Sequence, residues 1–391
     1  METFQSLNRL NFPEVVESAL QKLSQFLNQE GANVSIPGLG GGVEDLTDAI
    51  VKNYIFPTDA KSFRRTAMEE LQLLQMLMNC IQGQHYHRDQ LRLFRALFGS
   101  RMDPRKKSIM CQLLSMGICV KSRPILLCVA SWMKHQGPLT PECINIAESV
   151  ISDYCSNALS QNEAFLLLPK VDRLFTCNFM AAVCAAYKPD KPQNIRQMPE
   201  VLVKTIADWL DEDPTLCLEC LKSKDKAKKK HSSAGLFSGS DASRLVVSPV
   251  PGLIMQCVAS SVNTCLANRS SKHTSDEDSL KSNNSQVYSK LLLAVLQGLM
   301  TFKRDYHDRY FELITIKDMT DIKQLLITTI KMTDKDQVSE ACMKYAQALQ
   351  VALGTGALRI GPDEVQQLTC GLTQSKLLEI IQQQHTQTDM V

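Results

Sequence analysis

The sequence predicts an all-α protein of HEAT- or armadillo-like helical-repeat type, an α-solenoid whose repeats are degenerate. Three observations predict it. Apolar residues recur at spacings of three and four, capping and proline signals mark off segments of roughly 12–20 residues, and strand signals are scarce.

Taken in order, residues 1–30 predict an N-terminal helix, and 31–44, containing GANVSIPGLGGG, a glycine-rich linker. Residues 45–221 predict the helical-repeat domain. Within it, MEELQLLQMLMNCI places Leu71, Leu74, Leu77, Met78 and Ile81 on one side of a helix. Thr66 with Glu69 forms a capping-box signature in front of that helix, and Ser160 with Glu163 repeats it before AFLLL. Thr140-Pro141-Glu142 supplies a cap and then a proline in the first turn, where the missing N–H costs nothing. Pro124, Pro199, Pro214, Pro251 and Pro362 open further apolar-periodic runs.

Residues 222–248 predict a Lys/Ser-rich disordered insert, 249–267 a helix, and 268–286 a polar disordered loop with little to offset the entropy of ordering it. Residues 287–384 predict a C-terminal helical region and 385–391 a tail. VSIP, LVVSPV and ITIK are too brief to build a sheet, and no Asn-Gly or Asp-Gly turn joins alternating runs. No fixed-period consensus is visible, so any repeats are degenerate.

Composition narrows the class without naming a function. The 391 residues are 44% hydrophobic, which excludes global disorder, and 6% aromatic. A chain of this length buries about 75% of its unfolded surface. Forty-three Lys and Arg against 41 Asp and Glu give +2, so net charge makes no case for direct nucleic-acid binding. No apolar run approaches the roughly 20 residues of a membrane helix. METFQSLNRL lacks the apolar core of a signal peptide, so secretion is not expected. The 14 Cys are scattered through apolar runs, as buried thiols are in a reducing compartment.

Catalytic and ligand-binding patterns are missing. Cys217 and Cys220 have no second pair to complete a zinc tetrahedron, and His85 with His87 has no further ligand nearby in sequence. Gly38 to Gly42 lack the Lys-Ser/Thr of a phosphate loop, and Gly354-Thr355-Gly356 reads as a helix stop. Asp305, His307 and Asp308 could form an acid–base group, but they lie in the charged stretch KRDYHDRY, which predicts a solvated surface. No nucleophile elbow, HExxH or kinase motif occurs. The expectation is a non-enzyme with no cofactor, no metal and no catalytic residue.

Lys222, Lys224, Lys226, Lys228, Lys229 and Lys230 form a solvated basic run. It could serve as a nuclear import signal or make weak phosphate contacts, and it has no interleaved aromatics for stacking on RNA. Asn33, Asn268 and Asn283 match the glycosylation pattern, which means nothing without a secretory route. Trp132 and Trp209 end apolar stretches, CVASWM and TIADWL, and read as core or helix-pair anchors that could also mark an interface.

Several stretches together resemble one family. They are ELQLLQMLMNCIQ (70–82), LLSMGICVKSRPILLCVASWM (113–133), the region of Asp153-Tyr154-Cys155, and ADWLDEDPTL (207–216). VYSKLLLAVLQGLM (287–300) and YAQALQVALGTGAL (345–358) follow in the same order. The pattern resembles the Integrator complex subunit 15 family across about residues 45–380. Each block is an ordinary amphipathic helix, so the specificity lies in order and wording.

The resemblance implies a nuclear, all-helical, HEAT-like and non-catalytic subunit of the Integrator complex. That complex acts with RNA polymerase II in transcription attenuation and termination and in small nuclear RNA 3′ processing. The implied partners are the Integrator subunits numbered 10, 13 and 14, whose arm the family helps join to the rest, with RNA polymerase II contacted indirectly. No membrane association is implied. The resemblance also implies a long Pro- and His-rich tail in vertebrate members, beyond the point where this chain stops. It implies shorter inserts than 222–248 and 268–286 as well. The alternative is an unrelated helical-repeat adaptor in trafficking or nuclear transport. Interaction is expected at Trp132, Trp209, Tyr288, Leu292, Leu296, Tyr345 and Leu349, with residues 287–384 forming one binding face.

Overall fold

The computed structural model describes residues 7–29, 43–57, 65–99, 102–155, 163–189, 195–222, 247–270, 276–306, 312–333, 338–372 and 375–386. Among them the secondary structure is helical and no strand occurs, so the protein is all-α with helical-repeat architecture of HEAT or armadillo type. In chain order the helices are α1 (Glu14–Gln29), α2 (Val43–Ile50), α3 (Ala67–Gln82), α4 (His87–Phe98), α5 (Pro104–Cys119) and α6 (Arg123–Gln136). They continue with α7 (Pro141–Cys155), the single turns α8 (Glu163–Leu166) and α9 (Leu168–Val171), α10 (Arg173–Ala186) and α11 (Glu200–Glu212). After a 3₁₀ turn at Pro214–Leu218 come α12 (Val250–Ser270), α13 (Asp276–Tyr306), α14 (Ile316–Ile330), α15 (Ser339–Thr355), α16 (Pro362–Thr369) and α17 (Lys376–Thr386).

The helix starts follow local chemistry. Glu69 Oε2 accepts from Thr66 N at 2.7 Å while Thr66 Oγ1 accepts from Glu69 N at 3.3 Å, the reciprocal box that satisfies two donors at the start of α3. Thr140 stands ahead of α7 as expected, but its hydroxyl donates to Gly137 O at 2.9 Å. The second box, at Ser160, lies outside the described residues. Asp103 caps α5 by accepting from Lys106 N at 2.8 Å. Thr315 and Asp318 form a further box on α14. Gly356 takes a left-handed φ of 72° and ends α15, which is where the glycine pair marks a stop.

The chain divides into two compact units, Met1–Gln136 with Asn162–Phe175 and Gly137–Gln161 with Thr176–Val391. In the first, α1 packs on α3 and α4, and α6 packs on α3, α4 and α5. Leu23, Leu77, Ile81, Leu113 and Val129 are buried there, and Phe98 meets Phe94 and Phe56 at ring-centroid distances of 4.8 and 5.8 Å. One expected core residue is displaced. Leu71 is exposed and Leu73 is buried, because the buried arc of α3 runs through Leu74, Leu77 and Ile81 and Leu71 falls at its edge.

In the second unit α13 is the post around which the others pack. It contacts α11, α12, α15 and the 3₁₀ turn. Its Tyr288, Leu291, Leu292, Val295, Leu299 and Phe302 are buried. The helix begins at Asp276, not near residue 287, and α12 runs on to Ser270, so the expected polar loop 268–286 is helical over most of its length. Extending a helix already nucleated by packing adds one hydrogen bond per residue fixed, which makes polar extensions cheap.

Two glycines allow the close approaches. A Cβ on Gly298 would lie 2.7 Å from Pro214 O and 2.9 Å from Cys217 Sγ. One on Gly252 would lie 2.4 Å from Cys184 Cβ, which holds α12 against α10. Gly298→Ala should therefore cost about 1–3 kcal/mol by overpacking. Gly354→Ala, on α15 with nothing within 4 Å of the new methyl, should stabilise by roughly 0.5–1 kcal/mol. Thermal melts of the two variants check the contrast, and equal melting temperatures would refute it.

Candidate functional site

With no catalytic constellation in the sequence, the candidate site is a surface, and α13 is its centre. Two flanking helices are tied to it by polar contacts. Lys290 on α13 reaches Asp208 and Asp211 on α11 at 2.8 and 3.1 Å. The hydrogen bonds its ammonium donates to these carboxylates raise the Lys290 pKa. On the other side, Ser285 Oγ donates to Glu340 Oε1 at 3.1 Å, and Lys303 Nζ donates to Gly354 O at 2.9 Å. Those two ties lie at opposite ends of α15 and run in the same chain direction, so α13 and α15 lie parallel.

The Glu340 tie belongs to a larger knot. Lys344 is buried, and its Nζ donates to Glu340 Oε1 and to Ser261 Oγ of α12, each at 2.9 Å. Ser261 Oγ in turn donates to Glu340 Oε1 at 3.2 Å. Burial pushes the Glu340 carboxyl up, but the hydrogen bond and charge of Lys344, with Ser285 and Ser261, outweigh it and leave the pKa below the usual value. One carboxylate oxygen thus joins α12, α13 and α15 and neutralises a buried ammonium.

Most of the residues expected at the interface are core. Trp132 is buried in the first unit with its Nε1 donating to Gly99 O at 3.2 Å. Trp209, Tyr288, Leu292, Tyr345 and Leu349 are buried in the second, and Leu296 is half-buried. Tyr345 donates to Leu368 O at 3.1 Å, and burial raises the pKa of both Tyr288 and Tyr345. These side chains set the helix positions, and a surface contact must come from others. Among the described residues of α13 and α15, the large apolar side chains left exposed are Leu293, Met300 and Met343, at 58, 58 and 42%. They are invisible to a count of apolar residues because they share the helical period with the core. What separates them is angular position once three neighbours have taken the other faces of α13.

The remaining motifs find ordinary places. Lys222 pairs with Glu219 at 2.9 Å, while Lys224 to Lys230 lie outside the described residues. His85 and His87 are exposed at the start of α4. Asp305 pairs with Arg304 at 2.8 Å, which lowers its pKa, and His307 and Asp308 lie outside the described residues. No group of three or more His, Cys, Asp or Glu among the described residues could hold a metal, and no described helix is long and apolar enough to cross a membrane. Cys217 and Cys220 are buried thiols, with Cys217 Sγ donating to Pro214 O at 3.1 Å.

A sequence model of the family described as Integrator complex subunit 15 matches residues 1–374. The chain belongs to that family. Integrator complex subunit 15 of Mus musculus is 27% identical over 399 residues, covering 96% of this chain and 85% of that protein. The Homo sapiens protein of the same name is 27% identical with the same coverage. The Drosophila melanogaster one is 25% identical over 301 residues, covering 75% of this chain and 72% of that protein. Membership replaces the alternative of an unrelated helical-repeat adaptor.

Two outcomes follow from the geometry. Glu340→Ala strips the partner from buried Lys344 and should cost about 1–2 kcal/mol, the usual cost of a broken buried pair reduced because Glu340 is half in solvent. Lys344→Met leaves Glu340 free to hydrate and should cost less. Because the folded Glu340 pKa is depressed, its contribution is complete above the unfolded value of about 4.3 and is lost as pH falls through the lower folded value. Denaturant melts from pH 3 to pH 6 check the sign, and a Lys344→Met variant less stable than Glu340→Ala would refute the ordering. Separately, Cys119 and Cys370 are exposed, whereas burial raises the Cys128 and Cys257 thiols to about 12 and Cys143 and Cys155 to about 11. An aromatic disulfide reagent should therefore find two fast thiols in the native chain, react more slowly with half-buried Cys80 and Cys111, and reach the rest only on unfolding.

Proposed function

We propose that the protein is a non-catalytic scaffold subunit of a nuclear Integrator complex. It helps join the arm formed by subunits 10, 13 and 14 to the rest of the assembly. Through that assembly it acts with RNA polymerase II, contacted indirectly, in transcription attenuation and termination and in small nuclear RNA 3′ processing. The observation that carries this reading is the family match over residues 1–374. The physical arrangement supports it. A helical framework whose anchors are internal offers a firm surface and asks no chemistry of its own side chains. The C-terminal helices, within 287–384, supply the binding face in this reading, and the lysine run from Lys222 to Lys230 supplies the import signal.

Affinity purification of the full chain from nuclear extract, read by mass spectrometry, tests the assignment. Integrator subunits should be recovered in near-stoichiometric amounts, those numbered 10, 13 and 14 foremost. Recovery of coat or transport factors in their place would overturn it. Replacing Lys222, Lys224, Lys226, Lys228, Lys229 and Lys230 by Gln should shift a fluorescent fusion toward the cytoplasm without changing its thermal melt.

A further inference from the structure

Leu293, Leu296 and Met300 stand on α13 at spacings of three and four, the spacing of a coiled-coil seam. Leu293 and Met300 are each 58% exposed and Leu296 is half-buried, so the seam points out of the body. It spans about 10 Å of helix, two turns. Ser289 bounds it at one end and Lys303 at the other, on the same heptad positions. Met343, one turn past the Glu340 tie on parallel α15, adds an exposed apolar side chain at 42% near its beginning.

The two ends differ in charge. Beside Leu293, Lys290 is shared by Asp208 and Asp211, which leaves one net negative charge. Beside Met300, the described charges are Lys303, Arg304 and Asp305, with Lys222 near Asp305 but paired with Glu219, which leaves one net positive charge among the described residues. We propose that this seam is the docking site of an amphipathic helix from another subunit of the assembly. That helix carries apolar residues at three- and four-residue spacing, a basic residue over Asp208 and Asp211, and an acidic one over Lys303 and Arg304. A strip of two turns is far smaller than the roughly 1,200 Å² that holds two free proteins together. The occupant is therefore not a second copy, which would have this strip alone. Within a multi-subunit complex it is one contact among several, and in that respect the inference rests on the function proposed above.

The test places a photo-crosslinking phenylalanine derivative at position 293 of the full chain in cells and sequences the attached peptide. The expected product is one peptide from a co-purifying Integrator subunit, with apolar residues at that spacing and opposite charges at its two ends. Leu293→Asp with Met300→Asp should lower recovery of that subunit by about tenfold while leaving the melting temperature unchanged, since both side chains are exposed. A crosslink to a second copy, to a peptide without the pattern, or to nothing while Integrator subunits still co-purify would overturn the docking site and spare the assignment of function. So would wild-type recovery by the double variant. A wild-type chain that brings down no Integrator subunit would overturn both.

Discussion

The packing of one helix governs the second unit. α13 carries buried side chains on three sides, and Gly298 lets it approach the 3₁₀ turn to within a distance that no other residue permits. Each neighbour depends on that approach. α11 is tethered through Lys290, α15 through Ser285 and Lys303, and α12 through the residues that meet at Glu340. In a helical protein without a sheet, no ladder fixes the register of one helix against the next. Register must come from side-chain interdigitation and a few directional contacts. Here the directional contacts sit at the ends of α15, where they hold it parallel to α13 without entering the apolar middle.

The buried Lys344 is the costly member of that set. A methionine of similar volume would fill the space with no desolvation penalty, so the ammonium is poorly explained as a source of stability. Its geometry accounts better for specificity. An ammonium has three donors, and two of them are used on groups from two different helices' contacts, Ser261 on α12 and Glu340 on its own α15. Sliding α15 by one residue would keep the Glu340 pair, which moves with the helix. It would break the contacts of Lys344 and Glu340 with Ser261 and leave the pair with no partner on α12. A purely apolar contact would tolerate the slide.

Much of this fold is legible in the sequence, and the reason is local. Helix starts are announced by capping atoms within three residues, as at Thr66 and Glu69, and ends by a glycine such as Gly356. Asp103 and Asp318 were harder to see because Asp is common in loops as well as at caps. The polar start of α13 misled for another reason. Composition reports whether a segment can bury itself, not whether a packed helix beyond it will carry it along. The two compact units interleave inside 45–221, with boundaries at 136/137, 161/162 and 175/176, and no lysine run marks them. Such a division is a property of tertiary contacts, and composition has no access to them.

The candidate face is the least legible part, and the reason is instructive. Tyr288, Leu292, Tyr345 and Leu349 lie in the most apolar stretches of the C-terminal helices, and for that reason they are core. Density of apolar residues ranks a helix by how deeply it is embedded. An interface on such a helix must use the residue left over after its neighbours have closed around it, which sits in the same periodic pattern with nothing chemical to distinguish it. Leu293 follows Leu292 directly and differs from it by about 100° of rotation, yet one is core and the other surface. Where neighbours have closed around the other faces of a helix, the apolar strip left on its open face is narrow, so its natural partner is another helix. The charges flanking it then matter more than its area, because they are what tells one amphipathic helix from another.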